Sequence, residues 1–176
     1  MAYNGNQRIQ PGRRLGLSAT PIMSVRQVAS CAVLTGAPVY IDANGFLAAW
    51  PTDSVTSDLN LKPVASNQGC GFAAAPGANS ASDTSLLPFY PLLDGLIMIA
   101  NLVDGTDGSN NHTLAQTDLG ALACPTLIDG ETLYALNLDT TGSRDAARIV
   151  ELIDPIGTVN GRVGFVIRET YKQLHI

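Results

Sequence analysis

Charge is scarce in this chain: charged residues make up 14% of its 176 positions, against roughly 25% in ordinary soluble domains. So lightly charged a surface is expected to meet protein over much of its area. Aromatic residues are also few, at 6%, which argues for closely packed sheet faces over a ring-lined ligand cavity. There are two histidines, His112 in a polar turn and His175 beside the C-terminus. Neither position suits a Ser-His-Asp arrangement, and no G-x-S-x-G elbow is present. The three cysteines, Cys31, Cys70 and Cys124, are an odd number without a C-x-x-C pair. This speaks against a disulfide framework or a zinc site and for buried thiols in a reducing compartment.

Long apolar runs are missing too. Stretches such as residues 96–100 are too short to cross a bilayer, so no membrane association is expected. Arg13-Arg14 precedes a moderately apolar stretch, but Pro21 and Arg26 interrupt it, so no signal sequence and no export are expected. Phosphate loops of the G-x-x-x-x-G-K-[ST] or G-x-G-x-x-G type are absent. No cofactor is expected.

Acidic residues are wholly absent from residues 1–41, which carry Arg8, Arg13, Arg14 and Arg26 and therefore a net +4. The remainder sets six Lys or Arg against fifteen Asp and Glu, a net −9. A basic arm preceding an acidic body points to an electrostatic partner for the arm. Four scattered arginines are few for a polyanion, and the acidic body would repel one, so a protein partner is favoured over nucleic acid. Arg8, Arg13, Arg14 and Arg26 are the candidate contact residues. Residues 1–24 are read as an extended arm, rich in Gly, Asn, Gln, Arg and Pro and lacking any periodicity, with another subunit as its anchor. Residues 25–176 are read as one β-rich domain, long enough for a self-sufficient core.

The pattern after Val25 is one of short strands separated by turns, as in a sandwich or small barrel. Its clearest unit is residues 38–50, PVYIDANGFLAAW, in which Asn44-Gly45 favours a tight hairpin turn. Further strands are predicted at residues 69–74, 86–92, 96–102, 132–138, 148–153 and 162–169, several of them rich in Val, Ile, Tyr and Phe. Turn chemistry fills residues 76–83, 104–111, 139–143 and 154–157. At most one short helix is expected, over residues 117–122, with Thr117 as its cap and Leu119 and Leu122 facing inward.

Constellations for chemistry are weak. The glutamates are Glu131, Glu151 and Glu169, and most aspartates sit in turns whose Asx hydrogen bonding explains them. The stretch DGTDGSNN at 104–111 offers oxygen ligands, but Thr106 is third, glycine is fifth and Ala115 stands where an EF-hand needs glutamate. It reads as a polar turn. Tyr40 and Trp50 belong to the hairpin and read as core more than as a sugar-stacking platform.

In its order of short motifs the chain resembles the head decoration proteins of tailed phages. The series runs APVYIDANG at 37–45, GFA at 71–73, a polar stretch leading to LLPFYPLL at 86–93, Asn101-Leu102 before an acidic loop, TDLG at 117–120, RIVELI at 148–153 and DPIGTVNGRV at 154–163. The resemblance implies a compact β-barrel or β-tulip-like body docked on the outer surface of a capsid, often as a homotrimer at three-fold positions, with no catalytic residues. It further implies that the arm reaches the major capsid protein or a neighbouring subunit. The alternatives are a tail or head-completion protein, or a glycan-binding surface module whose rim is residues 76–83 and 104–112.

Overall fold

A computed structural model describes residues 9–14, 21–50, 70–78, 80–82, 84–105, 110–128, 134–138 and 145–172. They form twelve strands and two 3-10 turns. The first half of the chain builds one sheet from β2 (Met23–Arg26), β3 (Pro38–Ile41), β4 (Leu47–Ala49), β5 (Gly71–Ala73) and β6 (Leu86–Pro91). Their order is β2-β6-β5-β3-β4, all antiparallel. An isolated parallel bridge between Gln27 and Leu47 draws its two ends together.

The second half closes into a five-stranded barrel. Its members are β7 (Leu96–Asp104), β9 (Leu122–Leu127), β10 (Tyr134–Asn137), β11 (Ala147–Leu152) and β12 (Arg162–Ile167). Pairing runs β7-β10-β9-β11-β12 and returns to β7. Only the β7–β10 pair is parallel. Two strands join the wall from outside the ring: β1 (Gln10–Arg14) and the two-residue β8 (Asn110–Asn111), both on β7.

Period-two alternation decides what faces the interior. On β7, Leu96, Met98, Ala100 and Leu102 enter the barrel core with Val163 and Phe165 of β12, Ile149 of β11 and Leu136 of β10. Ile97 and Ile99 therefore turn to the outer wall. A second core of Val39, Leu47, Ala73, Leu87 and Phe89 lies under the first sheet. The two cores are joined: Phe72 of β5 packs with the barrel residues, its ring 6.0 Å from that of Phe165 and nearly perpendicular to it. Tyr134 packs against both cores, and buried Trp50 lies on Cys124.

The mainly β class with a barrel is as the sequence indicates, but several details differ. Residues 1–24 are not an arm throughout, because Gln10–Arg14 pairs with β7 of its own chain and Ile9 is 2% exposed in the barrel core. For residues 9–14 the anchor is thus the body itself. The expected helix is a 3-10 turn at Gln116–Asp118. Its start is held by the Asp118 carboxylate, which accepts the Ala115 N–H at 2.8 Å, and Leu119 is 47% exposed instead of facing inward.

Strand β9 goes unpredicted because Pro125 interrupts it; the proline is tolerated since β11 pairs only with Leu122 and Ala123, leaving that edge open beyond them. A second 3-10 turn forms at Glu169–Tyr171, where the sequence pattern indicates a strand end. The 38–50 hairpin forms with a loop longer than two residues. Asp42 Oδ1 accepts the N–H groups of Asn44 and Phe46, and Gly45 sits at φ +83°, where a side chain would be strained.

Candidate interaction surface

Of the four candidate arginines, the three that fall within the described residues lie on two different strands. Arg8 lies outside the described residues, Arg13 and Arg14 belong to β1 on the barrel, and Arg26 ends β2 on the other sheet, where it is exposed. Arg26 stands directly across from Leu86 of β6.

The strand that carries Arg26 is exposed in an unusual way. β2 is the terminal strand of its sheet, and none of its residues is fully buried. Gln27 N–H donates to Ser85 O at 3.0 Å. By antiparallel alternation, residues 23, 25 and 27 then turn their backbone groups toward β6, whereas Ser24 and Arg26 turn theirs to the outer edge. Pro88 sits across from Ser24, at a position where the ladder to β2 asks no N–H of it. β4 meets this outer edge at its far end, where Gln27 bridges Leu47 and the Val28 N–H donates to Leu47 O at 2.9 Å; only the start of the edge, about Ser24, lacks a paired strand among the described residues.

Around it lie Ile22, 58% exposed, Met23, 39%, and Leu86, 65%. Val25 packs on the sheet's core, so Met23 shares that inner face yet stays part-exposed at the corner, where no described residue covers it fully. The opening ends at Gln27, 1% exposed, whose side-chain amide donates to Ala78 O and accepts the Ala78 N–H, both at 3.1 Å. An edge strand flanked by exposed apolar side chains is a template for another chain unless something covers it.

Other candidates are occupied with holding the fold. His112 Nε2 lies 2.9 Å from Asp118 Oδ2, and its Nδ1 is 3.8 Å from Asp104 Oδ2. Its backbone N–H donates to Asn160 Oδ1, and Asn160 donates to Asn111 and accepts from Asn101. With a carboxylate beside each ring nitrogen, the imidazole ties the 104 loop to the 3-10 turn. Asp104 accepts the N–H of Gly105 as a turn residue does, while residues 106–109 lie outside the described part. Among the described residues no cluster of three or more His, Cys, Asp or Glu could hold a metal ion.

Glu169 pairs with Lys172 near the end of the described chain, and Asp94 shares that lysine at 2.9 Å. Glu151 lies on the barrel's outer wall opposite Gly164; Glu131 and His175 fall outside the described residues. Trp50 is 2% exposed and so offers no stacking surface; its Nε1 finds no partner among the described residues. All three cysteines are buried and outside any disulfide, and burial pushes the Cys70 thiol up to about 12.

Sequence reading finds Arg26 but misses the apolar corner around it. The available signal was Ile22-Met23 beside Pro21 in an otherwise polar stretch. Exposure at Leu86 becomes visible only once its cross-strand neighbour is known. No family model, no curated protein and no solved structure matches the chain.

Proposed function

We propose that this chain is a non-enzymatic structural virion protein that binds the outer surface of a tailed-phage capsid and reinforces it. In this reading it is made in the host cytoplasm and acts as a decoration or cement subunit. The observation that carries the protein-binding half is the group of exposed apolar side chains at β2, Ile22, Met23 and Leu86, beside exposed Arg26. The capsid half rests on the order of motifs between residues 37 and 163. Its partners are the major capsid protein and other copies of itself, with a homotrimer as the assembly.

Weak contacts suffice for this role. Three linked copies on a repeating lattice multiply one another through effective concentration, so a subunit that binds poorly alone staples firmly once assembled. Arginines suit the contact because the guanidinium grips carboxylates with paired hydrogen bonds. The test is co-sedimentation of the purified chain with undecorated, expanded phage heads. The reading expects saturation at a fixed number of copies per head; the chain remaining in the supernatant at every concentration overturns it.

A further inference from the structure

Asn-Gly steps occur at residues 4–5, 44–45 and 160–161. The first lies outside the described residues, and the other two sit in opposite surroundings. Asparagine is thermally labile, and most so before glycine, because no Cβ keeps the next backbone nitrogen from the carboxamide carbon. How firmly the fold holds the carboxamide and that nitrogen then decides which step reacts.

Asn160 is held on every side. Its Oδ1 accepts the His112 backbone N–H at 2.9 Å, and its Nδ2 donates to Asn111 Oδ1 at 2.7 Å. Its own N–H donates to His112 O at 2.7 Å, and its carbonyl accepts from Asn101 Nδ2 at 2.6 Å. Gly161 is buried, and a Cβ there would collide with Leu114. Turning the Asn160 carboxamide toward the Gly161 nitrogen therefore breaks two side-chain hydrogen bonds in a packed corner.

Asn44 is exposed at the tip of the β3–β4 hairpin, between exposed Ala43 and Gly45. It is tied through its backbone, whose N–H donates to Asp42 Oδ1 at 2.9 Å, and no hydrogen bond engages its carboxamide among the described residues. The Gly45 N–H closes the turn on Asp42 O at 3.0 Å, and the place of a Gly45 side chain is open space. That turn bond must open before the nitrogen can react. Exposed bonds at loop tips are among the first to open in a native protein.

We propose that Asn44 is a self-modifying site, at which the folded chain deamidates while Asn160 is spared. The Gly45 nitrogen loses its proton and attacks Asn44 Cγ. The new N–Cγ bond forms, the Cγ–Nδ2 bond breaks, and the side-chain nitrogen leaves as ammonia with that proton. Water then opens the cyclic imide at one carbonyl to give aspartate, or at the other to give isoaspartate. Either product puts a carboxylate in place of a neutral amide, so the formal charge goes from −5 to −6, two residues from the Asp42 carboxylate. Isoaspartate also adds a backbone atom inside the turn that the Asp42 N–H closes on Phe46 O at 2.8 Å. The inference rests on the hairpin alone and stands apart from capsid binding.

The test ages the full native chain at mildly alkaline pH, which favours the deprotonated nitrogen, and maps its peptides by mass spectrometry. The peptide holding Asn44 should gain about 1 Da and become a substrate for an isoaspartyl methyltransferase. The same change at Asn160 should be slower on the order of tenfold or more, because its hydrogen bonds must open first. In urea, with both steps freed, the two rates should converge. Asn160 is thus the internal control. Equal rates at the two sites in the native chain would mean reaction through the unfolded state and would overturn the proposal. So would a native Asn44 that stays an amide while the unfolded chain reacts there.

Discussion

Asp154 and Arg162 show how a single pair fixes a loop. The guanidinium donates to Asp154 Oδ1 at 2.7 Å and the Arg162 backbone N–H donates to Oδ2 at 2.8 Å. The side-chain hydrogen bond from Arg162 holds the Asp154 carboxyl below its ordinary value of 3.8, with burial working in the opposite direction. A carboxyl with a depressed folded pKa stabilises the fold fully above its unfolded value, and that contribution is lost as pH falls through the folded value. The relevant window is therefore below about pH 4.

Asp154→Asn should cost about 1 kcal/mol, at the modest end because Arg162 is 42% exposed. It should also flatten the acid side of the stability curve, which urea midpoints measured between pH 3 and 7 will show. The cysteines give a second residue-scale expectation. Burial raises Cys31 and Cys70 and all three thiols are enclosed, so a thiol reagent at pH 8 should label none of them until the chain unfolds. Rapid labelling of the native protein would contradict the packing.

Among the elements, strands whose own composition announces them were legible in the sequence. Residues 148–153 and 162–169 hold β11 and β12 to within two residues at either end. Asn44-Gly45 marked the first hairpin because few residues other than glycine tolerate its turn geometry. What stayed hidden depends on partners. β1 is a Gln-Pro-Gly-Arg-Arg segment with no strand signal of its own, and it becomes a strand because β7 offers it an edge. The β2 corner likewise becomes a surface only when Leu86 is placed across from Arg26. Sequence spacing contains neither juxtaposition.

A prediction follows about truncation. Removing residues 1–14 strips β1 from β7 and Ile9 from the core, and should cost 2 kcal/mol or more, about what deletion of a buried Ile side chain costs. Truncation of the arm as a test of binding must therefore spare Ile9 and β1.

At the scale of the molecule, the two sheets are joined through Phe72, Tyr134 and the Trp50–Cys124 contact. Phe72 is wholly buried and comes from one sheet while filling the core of the other. Phe72→Ala should therefore cost about 3–5 kcal/mol and weaken both halves together. Fluorescence of Trp50, the one tryptophan, reports the junction; circular dichroism reports all strands. The two probes should give coincident transitions in the wild type.

The central claim concerns what this body covers, and imaging tests it most directly. Undecorated, expanded heads are mixed with the purified full chain, pelleted and examined by electron microscopy. The account predicts regular added density at fixed three-fold positions of the lattice, one assembly at each. Heads whose surface is indistinguishable from the untreated shells, with the chain left in solution, would contradict it.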